Sequence, residues 1–320
     1  MIILYFEGVW DYMKDNFGRS VDNLRISVTQ RCHYNCDFCH SEGETSPGLE
    51  MGLSKIKDIV SSAAKNGITH VKLTGGEPLL RKDIVEIVKI IKAEKSIEDI
   101  SMATTGIFLP LYAKQLKTAG LDRVNIGCDT IGTSASPKTA SSIQEALDIA
   151  HAVGFSQIKI NMVVLKDVNV HEIPDMMLFA KKNNVLLQLI ELIDTDPLYY
   201  EKYYYSLKDV EDELASQASK VITRKMHDRK QFHLDGLIVE TVRPIQKHFC
   251  ENCTRMRITS DGKLKPCLMR DDNLVVFKDN ESFCQAIKNR SIHIERYNEE
   301  KSCFEGSNSN GKDCTSKIND

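Results

Sequence analysis

Six of the ten cysteines in this 320-residue chain fall into two tight groups. Residues 31–40 read RCHYNCDFCH, so Cys32, Cys36 and Cys39 form C-x3-C-x2-C. Residues 249–268 read FCENCTRMRITSDGKLKPCL, so Cys250, Cys253 and Cys267 form C-x2-C-x13-C. Three thiolates can hold three irons of a 4Fe–4S cube and leave the fourth open to a ligand. At the first group S-adenosylmethionine can be that ligand, chelating through its amino and carboxylate groups, and one electron then cleaves its C–S bond. Spacing alone also allows zinc, with His33 or His40 completing the first site and His248 the second. The surroundings favour iron. The first loop follows a strand, Phe38 precedes its last cysteine, and Gly75-Gly76-Glu77-Pro78 closes a later strand. Glycine lets backbone polar groups approach a small cofactor closely, and Glu77 can accept hydrogen bonds from the cofactor's amino group. In the second group Arg255 and Arg257 stand at i and i+2 of an extended segment, so they point the same way. Fixed positive charge beside a cluster suits an anionic or purine ligand.

These groups need a frame. Leu24–Val28, His70–Thr74, Glu98–Thr104, Arg123–Cys128, Gln157–Leu165 and Val185–Leu192 read as strands. Helical spacing falls between them: from a Ser54 cap to Asn66, then Asp83–Ala93, Leu111–Ala119, Ser142–Val153 and Ile173–Lys182. Such alternation implies a parallel sheet with helices outside it. The expected fold is α/β, a partial (β/α)6 TIM-like barrel over residues 1–195, with reactive groups at the C-terminal ends of its strands. Beyond Asp194 the rhythm breaks. Tyr199–Tyr205 reads as a connector and Leu207–Ala215 as a helix. Val221–Met226, Gln231–Leu234 and Leu237–Val242 read as antiparallel strands, with Asp235-Gly236 as a hairpin turn. This gives a small C-terminal α+β region over 196–292 that carries the second cluster, followed by a polar tail, 293–320, read as disordered.

The composition is that of a soluble globular protein, 42% hydrophobic and 27% charged. A net charge of −3 excludes a broad basic surface for nucleic acid or anionic membrane, and leaves room for a local basic pocket. Met1–Trp10 is apolar but short, and no segment is long enough to span a bilayer. The expected location is the cytoplasm, where a high cysteine count argues for metal ligation over disulfides.

The ordered set of motifs resembles the GTP 3′,8-cyclase family of radical S-adenosylmethionine enzymes, the molybdenum cofactor biosynthesis A proteins. Its pieces are Phe17-Gly18-Arg19, Leu24–Thr29, the first cysteine loop, KLTGGEPLLR at 72–81 and RVNIGCDT at 123–130. KINMVVLKDVN at 159–169, LIEL at 189–192 and the second cysteine segment complete it. FCHSEGE at 38–44 and RPIQKHFC at 243–250 resemble the archaeal branch. The resemblance implies two 4Fe–4S clusters and S-adenosylmethionine as cofactors and GTP as substrate. The ribose 3′ hydrogen is taken and C3′ closes on guanine C8. It places GTP at Arg25, Lys72, Thr104, Lys159, Arg255, Met256 and Arg257, with Arg255 and Arg257 catalytic. It places S-adenosylmethionine at Phe38, Gly76, Glu77, Gly127 and Ile193. Arg224, Arg229 and Lys230 are further candidates for phosphate. The implied partners are an electron donor such as ferredoxin or flavodoxin and, downstream, cyclic pyranopterin synthase; a homodimer is compatible with the reading. The chain departs from the family at Thr105, Gly127, Cys128 and Ile193, where Asn, Ser, Leu and Met are usual, and it ends Ser-Lys-Ile-Asn-Asp where the family has Gly-Gly. Two other readings are a peptide-modifying radical enzyme with an auxiliary cluster and a zinc-stabilised binding protein.

Overall fold

A computed structural model describes residues 13–44, 48–132, 136–244 and 247–291. The tail read as disordered and the Met1–Trp10 segment lie outside the described residues.

Six strands form the centre of one sheet: β1 Asn23–Ser27, β2 His70–Thr74, β3 Asp99–Thr104, β4 Arg123–Gly127, β5 Gln157–Val164 and β6 Leu186–Glu191. They run parallel in that order. The crossovers contain α1 Leu53–Lys65, α2 Ile84–Lys92, α3 Leu109–Ala119, α4 Ala140–Ala152 and α5 Ile173–Lys182. Helix α2 shows why: Ile84, Ile87, Val88 and Ile91 recur at helical spacing and are all fully buried. Each such side chain contributes about 1.5–3 kcal/mol by leaving water. Helix starts differ in detail from the expected ones. Ser54 is not a cap, since α1 begins at Leu53 behind Gly52. Pro110 sits in the first turn of α3, where its missing N–H costs nothing. A Thr139–Ser142 capping box opens α4 two residues early.

The C-terminal region does not build a sheet of its own. After α6 Pro197–Tyr203, which replaces the expected connector, come α7 Lys208–Gln217 and the hairpin strands β7 Lys220–Thr223, β8 Lys230–Leu234 and β9 Leu237–Val242. β9 pairs parallel with β6 and antiparallel with β8. The chain then passes through α8 Lys247–Glu251 to β10 Arg255–Ile258, which pairs parallel with β1 at the opposite edge. β11 Lys263–Lys265 and β12 Val275–Val276 extend that edge antiparallel, and α9 Asn280–Lys288 follows. Among the described residues the result is a single twelve-stranded sheet, ordered β12-β11-β10-β1-β2-β3-β4-β5-β6-β9-β8-β7. The expected partial barrel is present, with the C-terminal strands added to both of its edges. Among the described residues no helix is long and apolar enough to cross a membrane.

Candidate active site

The two cysteine trios lie at opposite ends of one cavity. Cys32, Cys36 and Cys39 follow β1, at the rim where the parallel strands end. Cys250 and Cys253 precede β10, which starts level with Asn23 at the beginning of β1. β11 runs back antiparallel, so Cys267, two residues beyond it, returns to that lower end. The four-residue rise from Asn23 to Ser27 spans about 13 Å. A cavity of about 400 Å³ is lined by all six thiols. All six are free cysteines.

The first loop is held by the turn after β2. The Gly76 N–H donates to Thr29 O at 2.7 Å and the Glu77 N–H to Arg31 O at 2.8 Å. A Cβ on Gly76 would meet Arg31 O at 2.4 Å, so this close approach requires glycine. The second loop is held through its carbonyls. Arg19 Nη1 donates to Cys250 O at 2.6 Å, Arg290 Nη2 donates to Cys253 O, and Asp15 pairs with both arginines at 2.7 and 3.1 Å. His227 stacks on Phe249, next to Cys250, with centroids 3.8 Å apart. The Phe17-Gly18-Arg19 motif therefore serves the distant second loop.

Between the trios runs a belt of cations. Arg257, Arg25 and Lys72 occupy one register level on β10, β1 and β2. Arg255 lies below Arg257 on the same inward face. Eight arginines and lysines line the cavity against three carboxylates, although the chain as a whole is acidic. The Lys72 ammonium has no hydrogen bond or ion pair among the described residues. Burial, and then Arg25, Arg255, Lys159 and Arg229, push its ammonium well below the ordinary lysine range. Arg255 has no carboxylate partner among the described residues, only Asn23 Oδ1 and Met226 Sδ, each at 3.4 Å.

Two carboxylates organise the belt, and neither is evident from the sequence. Glu42 accepts from Arg25 Nε at 2.7 Å, Arg257 Nη1 at 3.0 Å and Thr74 Oγ1 at 2.9 Å. Burial opposes its charge, but Arg25, His40 and Arg257 outweigh burial and hold the carboxyl well below its usual range. Glu240, fully buried on β9, binds Lys159 Nζ at 3.1 Å, Arg229 Nη1 at 2.9 Å and Arg224 Nη1 at 3.3 Å. Burial again opposes, and Lys159, Arg229 and Arg224 bring Glu240 down to about 2. Only charge spacing across strands distant in sequence could have marked either residue.

The structure brings Arg25, Lys72, Thr104, Arg255 and Arg257 into the cavity wall, with Phe38, Gly76, Gly127 and Ile193. Five expected positions depart from this, among them Arg224, which pairs with Glu240 and does not line the cavity. Met256 is fully buried in the hydrophobic core, because strand alternation sends it to the face opposite Arg255 and Arg257. Lys159 lies behind the wall, tied to Glu240, and burial pushes it down to about 8. Glu77 is fully buried and already accepts from Leu79 N, Thr104 Oγ1 and Thr105 N at 3.0, 2.7 and 2.6 Å, which makes it a support for the rim. Lys230 pairs with Glu211 at 2.9 Å outside the cavity, whereas Arg229 lines it.

The donor chemistry fits iron–sulfur clusters. Zinc would need the three thiolates of a trio and a fourth donor, the thiolates about 2.3 Å from one point. A cube gives each thiolate its own iron. Two of the three histidines that could complete a zinc site are engaged otherwise. His40 Nδ1 accepts the Glu42 N–H at 3.1 Å, and exposed His248 pairs with Glu251 at 3.3 Å. Cys253 is predisposed to ionise: burial would raise its thiol, but Arg290, the Arg255 N–H and the Arg255 guanidinium lower it. Buried Cys128 is the opposite case, pushed up to about 12 by burial and Asp129, and belongs to the core.

Residues 26–180 match the Radical SAM superfamily and residues 185–286 match Molybdenum Cofactor Synthesis C. A Methanothermobacter thermautotrophicus protein named "Probable GTP 3′,8-cyclase" is 41% identical over 88% of this chain and 98% of its own length. A Methanosarcina acetivorans protein of the same name is 43% identical, over 84% of each chain. Among solved structures, native anSMEcpe with bound AdoMet aligns at 18% identity and a TM-score of 0.57, covering 85% of this chain and 82% of that one. Streptococcus suis SuiB bound to S-adenosylmethionine aligns at 17% and 0.60, covering 77% and 60%. At such identities these two speak for the fold alone. The sequence relatives, matched along nearly their whole length, decide the family: the chain belongs to the GTP 3′,8-cyclases of the radical S-adenosylmethionine superfamily.

Proposed function

We propose that this protein converts GTP to (8S)-3′,8-cyclo-7,8-dihydroguanosine 5′-triphosphate, the first step of molybdenum cofactor biosynthesis. One observation carries the proposal: a single cavity has a cysteine trio at each end and a belt of cations between them. When bound, a 4Fe–4S cluster and S-adenosylmethionine at the first trio supply one-electron C–S cleavage and hydrogen-atom abstraction from the ribose. Cys250, Cys253 and Cys267 would hold the second cluster, with an open iron suited to the guanine. Arg25, Lys72, Arg255 and Arg257 bind the triphosphate as a preformed cation belt, which fixes the ribose between the two ends. Glu42 holds Arg25 and Arg257 in place, and Glu240 holds Arg229 beside them at the cavity wall. An electron donor such as ferredoxin or flavodoxin would feed the first cluster, and cyclic pyranopterin synthase would consume the product. The test is anaerobic reconstitution, followed by incubation with GTP, S-adenosylmethionine and a reductant. A cyclised dihydroguanosine triphosphate is expected; 5′-deoxyadenosine formation with unchanged GTP would refute the proposal.

Lys72 makes binding pH-dependent. Its pKa is depressed in the free protein and would rise toward its ordinary 10.5 beside a triphosphate. Binding should therefore take up a proton, and affinity should fall as pH rises between those two values. Calorimetry at about pH 8.5, where the triphosphate is fully ionised, in buffers of different ionisation enthalpy should show net uptake that Lys72→Met abolishes. No uptake by the parent protein would contradict this.

A further inference from the structure

We propose that Lys138 anchors the carboxylate of S-adenosylmethionine, occupying space that Gly127 leaves free; this deepens the radical-enzyme reading and rests on it. Gly127 is the last residue of β4 and lines the cavity. A Cβ there would come within 3.3 Å of Lys138 Cδ and 3.7 Å of Lys138 Nζ. The lysine stem thus lies close against the place a side chain at 127 would start. The chain is pinned to bring it there, because the Asp129 N–H donates to Lys138 O at 2.9 Å. The ammonium is aimed from two sides: Asp129 Oδ2 lies 2.8 Å away, and the Phe38 ring centroid 4.9 Å away. Asp129 is itself fixed, accepting from Val163 N and Ser136 Oγ at 3.2 Å each.

Lys138, Phe38, Asp129 and Cys36 all line the same cavity. An ammonium has three donors and Asp129 takes one. The location selects the ligand. Arg25, Lys72, Arg255 and Arg257 sit lower, between the trios, where a triphosphate fits. Lys138 stands at the rim where β4 ends, on the side of the first trio, and the anion expected there is the amino-acid carboxylate that chelates the open iron. A charge-assisted bond to it replaces what a short hydroxyl at position 127 would provide.

The experiment compares S-adenosylmethionine with its decarboxylated analogue, by calorimetry on the anaerobically reconstituted protein. Lys138→Met, which keeps the stem over Gly127, should weaken S-adenosylmethionine binding at least about tenfold. It should leave binding of the decarboxylated analogue within about twofold, and Lys138→Arg should recover much of the loss. Should the Lys138→Met substitution leave Asp129 unpaired and the protein unfolded, the Lys138→Met/Asp129→Asn protein carries the same comparison. Equal losses with both ligands, or none with either, would overturn the role of Lys138. A parent protein that takes up iron yet binds no S-adenosylmethionine would instead sink the reading beneath it.

Discussion

Cys253→Ala, prepared anaerobically, should hold about four irons in place of about eight, still cleave S-adenosylmethionine when reduced, and form no cyclised nucleotide. The expectation follows from the separation of the two trios. The first sits on a loop after β1 and is braced by the turn after β2. The second sits before β10 and is braced by Arg19, Arg290 and Asp15. Those braces grip carbonyls of the cysteine loop, not its thiols, so the backbone should survive loss of one sulfur. What is lost is the iron that would face the guanine from below. Radical generation at the upper end needs none of these residues, whereas productive ring closure needs the base held against C3′. The effect should be an all-or-none loss of product with cofactor cleavage largely retained, visible by iron counting and by chromatography of 5′-deoxyadenosine and nucleotide from one reaction. Normal product formation would remove the second trio from the mechanism.

The pieces of this site that were legible in the sequence are those fixed by local spacing. Both trios, the glycine turn at 75–76 and the common face of Arg255 and Arg257 follow from residue type and period. The same alternation that placed the arginines inward also required Met256 to face outward, so its assignment to substrate carried over a family position against strand geometry. The central strands were legible because buried apolar residues recur along them between the polar ones that face the cavity, as in β1 and β2; β2 and, beyond the centre, β9 coincide with their expected bounds. Where Leu237–Val242 would pair was not legible, since a hairpin pattern says nothing about the outer neighbour of its second strand. The parallel pairing of β9 with β6 and of β10 with β1 carries the chain from one edge of the sheet to the other. That passage puts the second trio below the first. Glu42 and Glu240 escaped notice for the same reason: their arginine and lysine partners lie 17 to 215 and 11 to 81 residues away.

Glu42 is a position where a single change should cost substantial stability. Its carboxylate is the shared counter-ion of Arg25 and Arg257, and it stands on a turn with φ of 54°, a left-handed conformation uncommon outside glycine. Glu42→Gln keeps the shape and removes the charge. Two guanidiniums are then left buried side by side, a loss of about 3–5 kcal/mol. The pH dependence has a definite sign. A carboxyl held below its ordinary 4.5 stabilises the fold above that value, and the contribution disappears as pH falls through the depressed folded value. The parent protein should therefore lose stability in acid more steeply than the variant. Nucleotide should act in the opposite direction. A triphosphate bound along the belt supplies the negative charge that the variant lacks, so saturating GTP should raise the midpoint of denaturation further for Glu42→Gln than for the parent. Anaerobic denaturant melts with and without GTP measure both effects. An identical nucleotide shift in the two proteins would mean that the triphosphate and Glu42 do not share the arginines, and the belt between the trios would need a different ligand.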